Sequence, residues 1–213
     1  MPELVQSSVR IRPATAEDAT EAAPLIYGAS PALSTRIYGP AAADAQAFFE
    51  AVFPLPETPY SWDSGIVAVR DGVVVGLALA APARDVQRGW PLLARQMVRR
   101  RGLSVLWKML PVMWDLHGST TTPPPDAYYL SILSVRADCR GQGIGGLLLS
   151  EVCRQADAEK FPATFLHAEI DNAGARRLYA GHGFETAAEH PTPRAARWGV
   201  NGFATLRRPG RVY

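Results

Sequence analysis

The chain has 213 residues, 47% of them hydrophobic, with 22 lysines and arginines against 20 aspartates and glutamates and a net charge of +2. That length fits one domain, spanning residues 1–213, with room for an insertion, and the near balance of charge argues against a nucleic-acid partner. Two cysteines make no disulfide framework, and neither a signal-peptide core nor an apolar run of about 18 residues is found, so a reduced, cytoplasmic protein with no membrane partner is expected.

Val9-Arg10-Ile11-Arg12 alternates apolar and basic side chains, the pattern of a short strand that Pro13 ends. Thr15, with Asp18 three positions on, is a variant capping box, and the helix it opens runs to about Tyr27. Residues 30–40 read as loop. Residues 41–53 read as a helix with Phe48, Phe49 and Val52 on one face, broken by the prolines of 54–59. Two apolar runs, 66–70 and 73–79, flank Asp71-Gly72, the signal of a hairpin with a primed turn; Pro82 ends the second strand.

Residues 83–126 interleave Arg84, Arg88, Arg95, Arg99, Arg100, Arg101 and Lys108 with tryptophans, leucines and methionines. The pattern is two helical pieces broken near Gly102 and Pro111, then a Thr/Pro linker over 119–125. Three roles stay open: a lid or wall over a binding site, a basic amphipathic surface for a membrane or anionic partner, or helices whose apolar face packs on the domain while the arginines stay solvated.

The stretch 130–149, LSILSVRADCRGQGIGGLLL, carries the chemistry. Leu130, Ile132, Leu133 and Val135 suit a buried strand. A polar link follows, and then Arg140-Gly141-Gln142-Gly143-Ile144-Gly145-Gly146 runs into the helix beginning Leu147-Leu148-Leu149, which fades near Lys160. Helix N-termini present unpaired N–H groups and the positive end of the dipole, and glycines let a large anion reach the backbone. A pyrophosphate fits such a turn. The turn also satisfies G-x-G-x-x-G at Gly141, Gly143 and Gly146. A dinucleotide fingerprint, however, opens a βαβ unit directly from its strand and early in its domain, whereas this one sits late and after a polar link.

Arg140-x-x-Gly143-x-Gly145 resembles the Q/R-x-x-G-x-G/A signature of the GNAT superfamily of N-acetyltransferases. A second strand, 164–170, follows, and then Asn172, Ala175, Leu178, Tyr179, Gly183 and Phe184 match the N-x-x-A-x-x-L-Y-x-x-x-G-F hallmark of the same family. The resemblance is tight over residues 127–184. It implies an α/β fold with a mixed, mostly antiparallel sheet of six or seven strands, helices on both faces, and 83–126 as a helical insertion between strands three and four. Short strands at 184–187 and 200–207, with Asn201-Gly202 as a turn for the latter, complete that sheet.

The resemblance also implies acetyl-CoA as cofactor and an amine, on a small molecule or a peptide, as acceptor. Leu133, Ser134 and Val135 would meet the pantetheine arm and the thioester carbonyl. Arg140, Gly141, Gln142, Gly143, Ile144, Gly145 and Gly146 would hold the pyrophosphate. Asn172 and Tyr179 would contact the cofactor from the next helix, and Tyr179 would protonate the leaving thiolate. Tyr38, Phe49, Tyr60 and Trp62 either border the acceptor pocket or are ordinary core. Many members carry Glu eleven residues before the signature Q/R; here that residue is Tyr129, a poor base. Asp126 and Glu169 remain as carboxylates that work through water. The alternative reading is a non-catalytic acyl-CoA sensor, or an enzyme using a longer acyl-CoA. The histidines and cysteines show no metal-ligand spacing. Self-association as a homodimer stays open.

Overall fold

The computed structural model describes residues 9–39 and 41–211, so the reading of residues 1–8 as free of a leader lies outside the described residues. Seven strands, β1 (Arg10–Pro13), β2 (Gly65–Arg70), β3 (Val73–Pro82), β4 (Tyr128–Val135), β5 (Ala163–Glu169), β6 (Glu185–Pro191) and β7 (Gly202–Pro209), form one sheet in the order β1-β2-β3-β4-β5-β7-β6. All neighbours run antiparallel except β4 and β5. A parallel pair needs a long crossover, and α6 (Ile144–Ala158) supplies it. The remaining helices are α1 (Ala19–Ala29), α2 (Pro31–Tyr38), α3 (Ala42–Val52), α4 (Ala83–Arg101), α5 (Ser104–Asp115) and α7 (Ala173–Ala180).

Alternation along the strands divides the core in two. On β2, Ile66 and Ala68 face the cluster built on α6 and α7, whereas Val67 and Val69 face α1, α3 and α4. β4 breaks this rule in a useful way. Tyr128 and Leu130 lie on the α6 side, and so do Leu133 and Val135, although an odd number of residues separates the two sets in register. The extra residue is Ser131: Leu79 pairs with Ile132, Ala80 pairs with Leu130, and Ser131 is left out of the ladder. Its hydroxyl donates to the Leu79 carbonyl at 3.1 Å, which satisfies it within the bulge.

Several sequence expectations change. Residues 31–38 are helical, not loop: Pro31 sits at the start of α2, where its fixed φ costs nothing, and Tyr38 at the far end is buried against Phe48 and Phe49. Gly102 does break the insertion, with φ 75, but α5 continues through Pro111. β6 runs on to Pro191, past the expected end at 187. Asn201-Gly202 is not a hairpin turn; Gly202 opens β7 opposite Pro191, and residues 192–201 form the connection. The Asp71-Gly72 turn is as expected, with φ of 51 and 81 at its two residues. The Thr15 box is half formed: the Thr15 N–H donates to Asp18 Oδ2 at 2.8 Å, and the same carboxylate takes both arms of Arg12.

The helix that carries the glycine turn is seated by Gly76 on β3. A Cβ there would lie 3.0 Å from Leu148 Cδ1 and 3.2 Å from Ile144 Cγ2, and both of those side chains are fully buried. Gly76→Val therefore pushes α6 off the sheet. The expected cost is about 1–3 kcal/mol, read as a clear drop in melting temperature, while Val73→Ala on the same strand, at an exposed position, melts like the parent.

Candidate active site

β4 and β5 pair at only three positions, Tyr128 with Thr164, Tyr129 with Phe165 and Leu130 with Leu166. Past the bulge they part. Arg136 donates its N–H to Val75 on β3 at 2.9 Å. By strand alternation, Leu133 and Val135 then aim their backbone groups away from β3, into the gap that β5 has left. Ser134 does not share this position. Its backbone points to β3, its side chain is buried, and Gly28 of α1 lies over its hydroxyl, with a Cβ position 3.7 Å away. Of the three strand residues, Leu133 and Val135 turn their backbone toward the gap and Ser134 turns its own toward β3.

The gap ends at the glycine turn. Gly141 and Gly143 have φ of 74 and 80, and a Cβ on either would meet nothing within 4 Å. Both therefore open onto free space, and both adopt backbone that disfavours other residues. Gly143 is the N-cap of α6. The first helix amide to find a partner is that of Leu147, which donates to the Gly143 carbonyl at 3.1 Å; the amides of Ile144, Gly145 and Gly146 precede it at the open end. Gln142 is braced by its side chain, whose Nε2 donates to the Asp138 carbonyl at 3.2 Å while its Oε1 accepts from Arg70 at 2.7 Å. Arg140 is exposed, and its Nε donates to the Val135 carbonyl at 3.1 Å. The arginine thus takes the Val135 carbonyl and leaves the Val135 N–H to the gap. Half-buried Arg70, held on Gln142, and exposed Arg140 flank one open loop of amides, and this donor set suits a diphosphate.

α7 forms the other wall. Its Leu178 Cδ2 would lie 3.3 Å from a Cβ on Gly145, so α6 and α7 approach closely where the turn opens. Asn172 caps α7, its Oδ1 accepting from the Ala175 N–H at 3.0 Å. Its amide nitrogen has no protein partner among the described residues. Tyr179 is 7% exposed, in the cluster that contains Leu133 and Val135, with its ring 5.9 Å from that of Phe184. Burial pushes its phenol up to about 12.

On the opposite face of the sheet lies a polar set that the sequence did not reveal. Tyr129 Oη is 2.9 Å from His167 Nδ1, and His167 Nε2 is 3.0 Å from the Thr121 carbonyl. A carbonyl only accepts, so Nε2 carries the proton, Nδ1 is the acceptor, and the Tyr129 hydroxyl donates to it. Burial lowers the His167 pKa, as does His190, which contacts Thr121 Oγ1 at 2.8 Å, although the Thr121 carbonyl acts in the other direction. Burial likewise raises the Tyr129 phenol, which lies within electrostatic reach of Tyr60 and Tyr179. Glu169 sits two residues along β5 on the same face as His167, half-buried, and accepts a hydrogen bond from Ser30 at the end of α1. Asp126 is exposed in the turn ahead of β4 and is not joined to this set. The pairing of Tyr129 with His167 needs the β4–β5 register, which no local pattern encodes. The other aromatics belong to the core: Tyr38 and Phe49 are buried, and Tyr38 Oη lies 2.9 Å from Tyr60 Oη, with Trp62 packed on the same cluster.

The geometry agrees with what the comparisons find. The chain resembles an acetyltransferase crystal structure with a TM-score of 0.70 and 23% identity over 95% of this chain and 100% of that one. It resembles an N-acetyltransferase from Staphylococcus aureus Mu50 with a TM-score of 0.68 and 16% identity, covering 93% of this chain and 99% of that one. A chain of the NatC complex bound to Gag peptide and CoA superposes with a TM-score of 0.55 and 13% identity, over 96% and 99% of the two chains. At such identities these likenesses carry the fold alone. A search among curated proteins gives no match. The family model for the acetyltransferase (GNAT) family matches residues 40–184, more than half of the chain and the whole of the splayed strand, glycine turn and α7, and the chain belongs to that family.

Proposed function

We propose that this protein transfers an acetyl group from acetyl-CoA to a primary amine by direct attack. The observation that carries the reading is the separation of β4 from β5 beyond Leu130, ending on the open amides of residues 144–146. Buried backbone groups along such a gap need partners. An extended arm with its own amides supplies them, and a diphosphate at one end fits the turn.

Acetyl-CoA, when bound, supplies the thioester carbonyl that the amine attacks. The N–H groups of Leu133 and Val135 serve the arm and that carbonyl. Gln142, Gly143, Ile144, Gly145 and Gly146 present the turn to the diphosphate, Gly141 shapes it, and Arg140 adds charge. Asn172 offers its side-chain amide from the head of α7. Tyr179, kept protonated by burial, donates its proton to the departing thiolate.

An alkyl ammonium cannot attack, so the nitrogen must lose a proton. Tyr129 and His167 provide the route. The nitrogen's proton passes to the Tyr129 oxygen as the Tyr129 proton passes to His167 Nδ1, and the imidazolium formed keeps its Nε2–H on the Thr121 carbonyl. Low pKa keeps His167 neutral and receptive at pH 7. Of the two carboxylates, Glu169 stands near enough along β5 to assist through water, and Asp126 stands apart from the set.

Three substitutions test these roles. Tyr179→Phe lowers kcat by on the order of a hundredfold in a thiol-release assay over small amines and alanine- or serine-headed peptides, with CoA affinity unchanged. His167→Gln has a similar cost and removes the low-pH limb of the kcat/KM profile, because the parent loses activity as His167 takes a proton below its usual range; a limb that persists assigns the base elsewhere. Gly145→Glu, by contrast, inserts bulk against Leu178 and negative charge among the open amides. Calorimetric titration with CoA then shows no binding while the melting curve stays cooperative. Cofactor binding by the parent with no thiol release on any amine overturns the catalytic reading and leaves an acyl-CoA sensor.

A further inference from the structure

The insertion α4–α5 presents an apolar stripe that stays largely exposed among the described residues. Leu103, Trp107, Leu110, Met113 and Trp114 recur at helical spacing, and their exposures are 70%, 77%, 53%, 63% and 65%. Side chains of that size normally bury, and a stripe of five on one short helix marks a contact surface. The opposite side of α5 does bury: Val105 and Val112 are 5% and 1% exposed. The helix is therefore seated, and its outward side is the part without a partner.

Charge says what the partner is. Residues 83–118 hold seven arginines and lysines against Asp85 and Asp115, but most of that excess is on α4, where Arg100 and Arg101 turn back onto carbonyls of α3, and the charge beside the stripe itself comes from Arg194 and Arg197. Asp115 is buried, and Arg197 answers it at 2.5 Å. Arg194 lies over the Trp114 ring at 5.1 Å, and Arg194 and Arg197 close one side of a surface hollow floored by Trp107, Leu110 and Trp114. The hollow thus pairs tryptophan with arginine at its rim. A second copy seated on the stripe about a two-fold axis brings the same arginines against their own images. An anionic surface meets both features at once, since tryptophan settles at the boundary between hydrocarbon and headgroups while arginine pairs with phosphate.

We infer that α5 docks this protein on an anionic lipid bilayer, lying in the plane of the headgroups with Trp107 and Trp114 inserted. No helix among the described residues is long and apolar enough to cross a membrane, so the contact is peripheral. This takes up the second of the three roles that the sequence leaves open for residues 83–126, against the expectation of no membrane partner. The site stands independently of the acetyl-transfer reading.

The test is co-sedimentation with vesicles of phosphatidylcholine alone or mixed with phosphatidylglycerol, with tryptophan emission recorded alongside. The full chain is expected to pellet with the mixed vesicles, to shift its emission to the blue, and to be released by salt. Trp107→Ser with Trp114→Ser is expected to weaken partition at least about tenfold, and Arg194→Gln about fivefold, while melting temperature and CoA binding match the parent. Failure to pellet with the mixed vesicles, or equal pelleting with both kinds, overturns the inference. So does a concentration-dependent dimer in light scattering that the tryptophan substitutions dissolve, because the stripe then belongs to a second copy.

Discussion

Two half-sheets joined by three residue pairs set the shape of everything else. β5 is tied to β7 from Ala163–Pro209 to Glu169–Phe203, and β4 is tied to β3 along its length. Each half is held by the ladder on its outer side, that of β4 running on past the bulge at Ser131. Between them the ladder stops at Leu130 and Leu166. Ser131 turns the strand at that point, and its hydroxyl answers the one carbonyl that the bulge would otherwise strand. The result is a wedge whose walls are backbone, widening toward the head of α6. Backbone walls bind extended amide-bearing ligands with little regard to side chains.

The two faces of the wedge have opposite chemistry. Toward α6 and α7 it is apolar, with Leu133, Val135, Leu178 and Tyr179 in one cluster. Toward α1 and the 116–127 connection it is polar, with Tyr129, His167, Thr121 and His190 linked in a chain of hydrogen bonds. Buried polar groups persist only when partnered, and the Thr121 carbonyl fixes which nitrogen of His167 holds the proton. A carboxylate at position 129 would sit in the same burial that raises the Tyr129 phenol, and burial raises a carboxyl as well. A neutral phenol paired with a neutral imidazole avoids that desolvation cost.

What the sequence discloses follows from how local each cause is. The glycine turn was legible because positive φ at Gly141 and Gly143 and an open helix end are properties of a few consecutive residues. The Asp71-Gly72 hairpin was legible for the same reason. The bulge at Ser131 was not, since an extra residue shows only against the partner strand. α2 was missed because Ser30, Pro31 and Gly39 look like loop chemistry, and it is the burial of Tyr38 against α3 that holds the segment helical. α5 crosses Pro111 because proline removes one hydrogen bond but Val105 and Val112 still anchor the same face on both sides of it. His167 lies in the expected strand 164–170 without metal-ligand spacing, and its partners, Tyr129 and Thr121, are 38 and 46 residues away in the chain. Site residues supplied by register lie beyond any motif.

The insertion touches the same end of the molecule as the polar face. The inner side of α5, with Ser104, Val105 and Met109, walls a cavity of about 920 Å³ together with Tyr27, Thr35 and Arg36 of α1 and α2. Tyr27 contacts Thr35 at 3.3 Å, and the α1–α2 junction holds Ser30 on Glu169 of β5. A continuous set of packed elements therefore runs from the outward tryptophans of α5, through α2, to the strand that carries His167. A surface partner on α5 bears on helices that border the gap without entering it, and the 116–127 connection, which leaves α5 and delivers Thr121 to His167, is the covalent part of the same path. The insertion leaves and rejoins the sheet at one place: the Ala83 N–H donates to the Ala127 carbonyl at 2.8 Å, and the chain re-enters the sheet at Tyr128, one residue before the phenol that faces the imidazole.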